Sequence, residues 1–243
     1  MAAQQDTAHW SKVARQWIEW ARAPGHDAFW AYRHSLTRFL GHGTGRALEI
    51  GCGEGRVSRE LKKLGFQVIA TDAVAELVAA ARLGDSAETY AVADARDLPF
   101  SDGQFDLVVA YNVLMDVENV PETVREIRRV MKPDATLFIS LVHPFRDRGR
   151  FIDSDPDAPF VVSGTYFGRE RFEGEEARAG LRMQFAGWSQ PLENYVAALE
   201  GAGLAIASLR EPVPDHTAEG YLQQSARIPL FLWLKARSLT SLP

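Results

Sequence analysis

The chain has 243 residues, 46% of them hydrophobic and 24% charged, and a formal net charge of −5. That length and balance suit a single α/β domain with a sizeable core and argue against disorder. The negative charge argues against a broad basic footprint for nucleic acid, and the single cysteine, Cys52, excludes an internal disulfide or a cysteine-built metal cluster.

The N-terminus "MAAQQDTAHWSKV" lacks the apolar core of a signal peptide, and no run reaches membrane-spanning length. A cytoplasmic protein with no membrane partner is therefore expected. Two helices are predicted next, "SKVARQWIEWAR" and "DAFWAYRHSLTRFL", separated by Pro24-Gly25, with apolar residues at helical spacing. Four tryptophans (Trp10, Trp17, Trp20 and Trp30) fall here; each reads singly as a packing aromatic, and together they could wall a planar ligand.

From Arg46 onward strands and helices alternate. "RALEIG", "QVIATD", "TYAVADA", "FDLVVAYN" and "ATLFISLV" read as five strands, with helices after the first, second and fourth. The last of these helices, "VPETVREIRRVMK", carries Pro121 in its first turn and stops before Pro133. Continuous apolar strands alternating with helices predict a mostly parallel sheet covered on both faces. Such sheets bind ligands beyond the carboxyl ends of their strands. Glu49, Asp72, Asp94, Tyr111 and His143 all fall at or just past such ends.

The alternation stops after His143. "PFVVSGTYF" and "GLRMQFAGW", separated by the charged stretch 168–179, read as the two strands of a β-hairpin arm over the ligand end. A helix, "QPLENYVAALEGAG", and two final strands, "LAIASLREP" and "IPLFLWLKAR", close the chain, the last running antiparallel.

The chemistry concentrates in "ALEIGCGEGR". A dinucleotide fingerprint, G-x-G-x-x-G, would need glycine where Arg56 or Ser58 stands. Instead Glu49 precedes Gly51, Gly53 and Gly55 at every second position. An acid there would repel a pyrophosphate but suits a ligand with an amino group and a cationic centre.

This series resembles the class I S-adenosylmethionine-dependent methyltransferases of the small-molecule type, and the resemblance runs over residues 47–142. "ALEIGCGEGR" is similar to the family's first motif, "VADARDLPFSDGQFDLVVAYNVL" to its next stretch, and "EIRRVMKPDATLFIS" to its helix-turn-strand motif, with Asp134-Ala135 where a glycine pair is usual. The resemblance implies a seven-stranded Rossmann-like sheet in one domain, 1–243. Its parts would be an N-terminal helical cover (1–44), a cofactor-binding core (45–142), an insertion over the acceptor site (143–190) and a C-terminal part of the core (191–243). It implies S-adenosylmethionine as cofactor, held by Glu49, Gly51, Cys52, Gly53 and Gly55, by Asp72 and Ala73 at the ribose, by Asp94 and Ala95 at the adenine, and by Tyr111 near the methionine moiety. Cys52 lacks a His or acid partner pattern and reads as turn backbone, not as a nucleophile.

The expected reaction is methyl transfer to an O, N or activated C atom of a small, aromatic or otherwise planar metabolite. His143 is the candidate general base and Asp116 a candidate acceptor contact, with Trp30, Tyr166, Trp188 and Tyr195 as pocket candidates. No metal is expected, and the protein would act as a monomer or homodimer. A non-catalytic S-adenosylmethionine-binding protein and a nicotinamide-dependent oxidoreductase stand as alternatives. His143 also has a bland reading, capping a strand before a proline.

Overall fold

The computed structural model describes residues 3–215 and 220–239; the extreme ends of the expected domain span lie outside these. Two helices, α1 (Ala3–Arg22) and α2 (Phe29–Leu40), precede the alternating region. There β1 (Arg46–Ile50), α3 (Arg56–Lys63), β2 (Gln67–Asp72), α4 (Ala75–Leu83), β3 (Thr89–Val92) and β4 (Phe105–Tyr111) follow in turn. Then come α5 (Val120–Val130) and β5 (Met131–Val142). A single 3-10 turn, Arg146–Arg148, leads into the short strands β6 (Gly149–Phe151) and β7 (Phe160–Val162), and then into β8 (Glu170–Arg178) and β9 (Leu181–Ser189). The chain ends with α6 (Leu192–Gly201), β10 (Leu204–Arg210) and β11 (Phe231–Ser238).

Seven strands form one sheet in the order β10-β11-β5-β4-β1-β2-β3. The pairs from β5 to β3 are parallel, and β11 runs antiparallel between β10 and β5. The expected mixed, mostly parallel Rossmann-like sheet is therefore present. Its core follows the period-two alternation of strands. Val108, Ala110, Leu137 and Ile139 face the α5–α6 side, whereas Leu107, Val109, Tyr111 and Phe138 face the α2–α3 side. Each fully buried side chain of this size contributes about 1.5–3 kcal/mol.

Local signals explain the element ends. Asn119 caps α5 by accepting the Glu122 amide at 3.0 Å, with Pro121 inside the first turn. The chain then passes directly into β5. Asp134 holds no left-handed conformation, and residues 132–135 are absorbed as an irregularity opposite Asp106, between the pairs Phe105–Met131 and Leu107–Thr136.

The hairpin arm departs from the sequence reading. Its second strand is as expected, but its first is the charged segment 170–178, paired from Glu170–Ser189 to Arg178–Leu181. "PFVV" instead pairs with β6. Ala179 and Gly180, with φ of 43° and 87°, make the tight turn. The strand β8 escapes recognition because it is mostly exposed, so its composition is that of a solvated surface. The strand β9 packs against α1: Phe185 meets Trp17 and Trp20 edge-on at 6.4 and 6.2 Å between ring centroids, and Met183 is fully buried with Val13.

Candidate active site

The turn between β1 and α3 is built on three left-handed glycines, with φ of 62° at Gly51, 55° at Gly53 and 90° at Gly55. Side chains are also excluded by their neighbours. A Cβ on Gly51 would lie 2.4 Å from a Val113 methyl, on Gly53 2.8 Å from the Trp17 indole nitrogen, and on Gly55 2.2 Å from the Ser86 hydroxyl. Both conformation and contact therefore demand glycine.

Asp72, at the end of β2, holds this turn in place. Its Oδ2 accepts the Gly53 amide and its Oδ1 the Val74 amide, both at 2.9 Å. Each oxygen keeps a lone pair for a further donor. Burial pushes the Asp72 carboxyl up to about 6, against the pull of these amides. Glu49 is also buried and accepts the Ser58 hydroxyl. Desolvation pushes it up to about 8 although Ser58 and Arg56 favour the charged form. Burial likewise raises the Cys52 thiol, so no reactive thiolate is available.

A cavity of about 560 Å³ opens beyond the carboxyl ends of the strands. Glu49, the 51–53 backbone, Asp72, Ala73, Asp94, Ala95, Tyr111 and Asp116 all line it. Gly55 does not; it sits against Ser86. The Asp94 carboxylate is engaged by its own loop, accepting the Arg96 amide and Nε at 2.9 Å each. The hydrogen bonds from Arg96 hold its carboxyl below the usual range.

The remaining predicted residues do not reach the cavity lining. His143 points to another partner: Nε2 lies 3.0 Å from Glu211 and Nδ1 accepts the Phe145 amide at 3.2 Å. This is the capping geometry, not that of a base beside a reacting atom. Trp30 donates its indole N–H to the Ala21 carbonyl, Tyr166 accepts the Leu192 amide, and Trp188 stacks under Arg169. Tyr195 is buried in the α5–α6 core. Each is occupied in holding the scaffold.

Other side chains occupy the positions expected of them. Trp10, Trp17, Trp20, Phe172, Phe185 and Phe231 supply the aromatic walls. Arg56 sits 4.8 Å from the ring centroids of both Trp17 and Phe29 and pairs with Asp27 at 2.7 Å. The buried Tyr111 hydroxyl has no hydrogen-bond partner among the described residues. Arg146 and Asp147, just past His143, also line the cavity. Arg56 was visible as the residue spoiling the dinucleotide fingerprint; Arg146 and Asp147 carried no motif.

The residues fit S-adenosylmethionine. Asp72 presents spare acceptor sites for a vicinal diol, the glycine turn brings bare backbone to the cavity, and Glu49 is an acid whose ionisation a cationic ligand would favour. Among the described residues no three His, Cys, Asp or Glu are grouped to hold a metal ion, and no helix is long and apolar enough to cross a membrane.

Comparison with known proteins agrees with this geometry. The methyltransferase domain family matches residues 48–139. A malonyl-acyl-carrier-protein O-methyltransferase of Enterobacter lignolyticus is 31% identical over 72% of this chain and 67% of its own length. A ubiquinone biosynthesis O-methyltransferase of Xanthomonas campestris is also 31% identical, over 56% of this chain, which spans 60% of that enzyme. A solved S-adenosylmethionine-dependent methyltransferase from Mesorhizobium loti shares the fold, with a TM-score of 0.67 at 24% identity over 87% of this chain and 98% of its own. With the cofactor end of the cavity assembled from the same motifs, the chain belongs to the S-adenosylmethionine-dependent methyltransferases.

Proposed function

We propose that the protein methylates an O, N or activated C atom of a small, aromatic or otherwise planar metabolite. The observation that carries this reading is the lining of the cavity. It joins the glycine turn, Asp72 and Asp94 to aromatic walls that include Trp10, Trp20, Phe172, Phe185 and Phe231. The two relatives act on different acceptors by name, so the acceptor class is read from these walls.

When bound, the cofactor supplies an electrophilic methyl group on a sulfonium. The chain supplies position and a dry site. Asp72 accepts the ribose hydroxyls, Asp94 and the Ala95 backbone border the adenine, and Glu49 faces the cationic half. The helix α1 and the β8–β9 hairpin meet across the cavity through Trp17, Trp20 and Phe185, excluding water from the reacting atoms. Alignment of this kind accounts for most of the acceleration such a displacement needs. Asp116, on the loop after β4, lines the cavity and is proposed as an acceptor contact, and His143 is given no role in proton transfer. A net charge of −5 favours a small molecule over nucleic acid. The single buried cysteine suits the reducing cytoplasm, where the protein would act as a monomer or homodimer.

The test has two stages. S-adenosylmethionine and S-adenosylhomocysteine at a hundredfold excess over Kd should each stabilise the fold by about 2.7 kcal/mol. S-adenosylhomocysteine release is then followed across phenols, amines and aromatic acids. No stabilisation by either compound overturns the cofactor assignment; stabilisation without turnover of any acceptor favours a non-catalytic binder.

A further inference from the structure

Four arginines line the cavity: Arg56, Arg96, Arg146 and Arg178. Three have carboxylate partners. Arg56 pairs with Asp27 at 2.7 Å, Arg96 with Asp94 at 2.5 Å and Arg178 with Glu176 at 3.4 Å. The Arg146 side chain has neither an ion pair nor a hydrogen bond among the described residues, its carbonyl alone accepting the Gly149 amide. Its guanidinium lies over two phenyl rings, 4.6 Å from the centroid of Phe151 and 5.3 Å from that of Phe160. Phenyl rings offer no lone-pair acceptor, so these contacts leave the N–H donors of the guanidinium free to bond a ligand. Desolvation acts against its charge, yet arginine stays protonated at any working pH. The neighbouring Asp147 and Arg146 favour each other's charge, but burial is the larger effect on the Asp147 carboxyl and pushes it up to about 7.

The position of Arg146 is held from outside. Arg148, in the same 3-10 turn, is buried and ties this segment to the base of the hairpin through Glu170 at 2.8 Å and the carbonyls of Gly168 and Ser189 at 2.6 and 3.0 Å. The turn follows β5, three strand spacings from β2 in the sheet, about 14 Å from the Asp72 end. Arg146 is thus at the acceptor end of the cavity, away from the ribose-binding carboxylate.

We propose that Arg146 is the recognition site for a carboxylate on the acceptor, so that the substrate is a small aromatic acid. This rests on the methyltransferase reading above and narrows it. The planar fork of the guanidinium donates two parallel hydrogen bonds to a carboxylate, which fixes the acceptor ring between the aromatic walls. The cofactor carries a carboxylate of its own, the other source of the same chemistry, and the experiment separates the two.

Benzoate, benzamide, phenyl phosphate and benzylamine are titrated calorimetrically into the S-adenosylhomocysteine complex of the wild type and of Arg146→Gln and Arg146→Lys. The inference expects benzoate to bind at least about tenfold tighter than benzamide, as a charge-assisted pair commands. Arg146→Gln should erase that preference with S-adenosylhomocysteine affinity unchanged, and Arg146→Lys should restore part of it. Retained S-adenosylhomocysteine binding certifies that each variant is folded. Equal affinity for benzoate and benzamide overturns the inference, as does tighter binding of phenyl phosphate or benzylamine. Loss of S-adenosylhomocysteine affinity in Arg146→Gln with the benzoate preference intact also overturns it, and assigns the arginine to the cofactor. Failure of the wild type to bind S-adenosylhomocysteine at all overturns instead the reading on which the inference rests.

Discussion

Glu49 ties cofactor binding to pH in a way that can be worked through. Burial raises its carboxyl from 4.5 to about 8, so at pH 7 the free protein keeps it mostly protonated. A cationic ligand beside it favours the ionised form. Ionising Glu49 at pH 7 costs about one pKa unit, roughly 1.4 kcal/mol, and binding supplies it. The apparent affinity for S-adenosylmethionine should therefore rise about tenfold per pH unit up to pH 8 and then level off, with about one proton released per ligand at pH 7. Asp72, at about 6, is already ionised above pH 7 and leaves this window clear. The amino group of the cofactor titrates nearby but is common to every variant, so the difference between wild type and Glu49→Gln isolates the carboxyl. The assay is calorimetry from pH 7 to 9 in buffers of different ionisation enthalpy. Stability has the opposite sign. The folded pKa exceeds the unfolded one, so the contribution of Glu49 is complete below pH 4.5 and is lost as pH rises through about 8. The ligand-free Glu49→Gln variant should therefore lose less Tm between pH 5 and 9 than wild type. Equal proton release and equal pH slopes in the two proteins would refute the argument.

Three further outcomes follow from the same geometry. Asp72→Asn turns an amide NH₂ toward the Gly53 or Val74 donor, so thermal unfolding should show a loss of about 1.5–3 kcal/mol and S-adenosylhomocysteine affinity should fall at least about tenfold; unchanged affinity would remove Asp72 from the site. Gly53→Ala forces a side chain into a left-handed position 2.8 Å from Trp17, costing about 1–2 kcal/mol and weakening cofactor binding; a Gly53→Ala protein with wild-type Tm and Kd contradicts this. His143→Ala should keep the full methyl-transfer rate across pH while losing at most about 1.5 kcal/mol of stability, whereas a rate drop of about a hundredfold or more would mark it as the base after all.

The parallel core was legible because its central strands are buried on both faces, which leaves a continuous apolar run such as "LVVAY" or "LFISLV". The cofactor end was legible because one short segment, 49–55, carries most of its chemistry in its backbone. The hairpin was only half legible. The strand β9 buries Met183 and Ala186 against the fold and reads as a strand, whereas β8 exposes Glu173, Glu175 and Glu176 and reads as a loop. A strand held by one partner and bathed in solvent leaves little trace in hydrophobic patterning.

The acceptor end shows the limit most sharply, at one loop. The sequence reading expects the insertion that begins at His143 to lie over the acceptor site and singles out His143, whereas Arg146 and Asp147 are the members of this loop that line the cavity. Histidine draws attention by its pKa, but orientation decides function. The His143 carbonyl accepts the Asp147 amide at 3.1 Å and its ring accepts the Phe145 amide, which winds the chain into the single turn Arg146–Arg148. His143 thereby faces Glu211, while Arg146 and Asp147 swing under the cavity wall. Three residues of a tight turn decide which side chains line the cavity. No pattern in "VHPFRDRGR" encodes that choice, because it depends on Glu211 and on Phe160, from strands and loops distant in sequence. The acceptor preference proposed for this chain therefore rests on the folded loop, and Arg146 is where an experiment on specificity should begin.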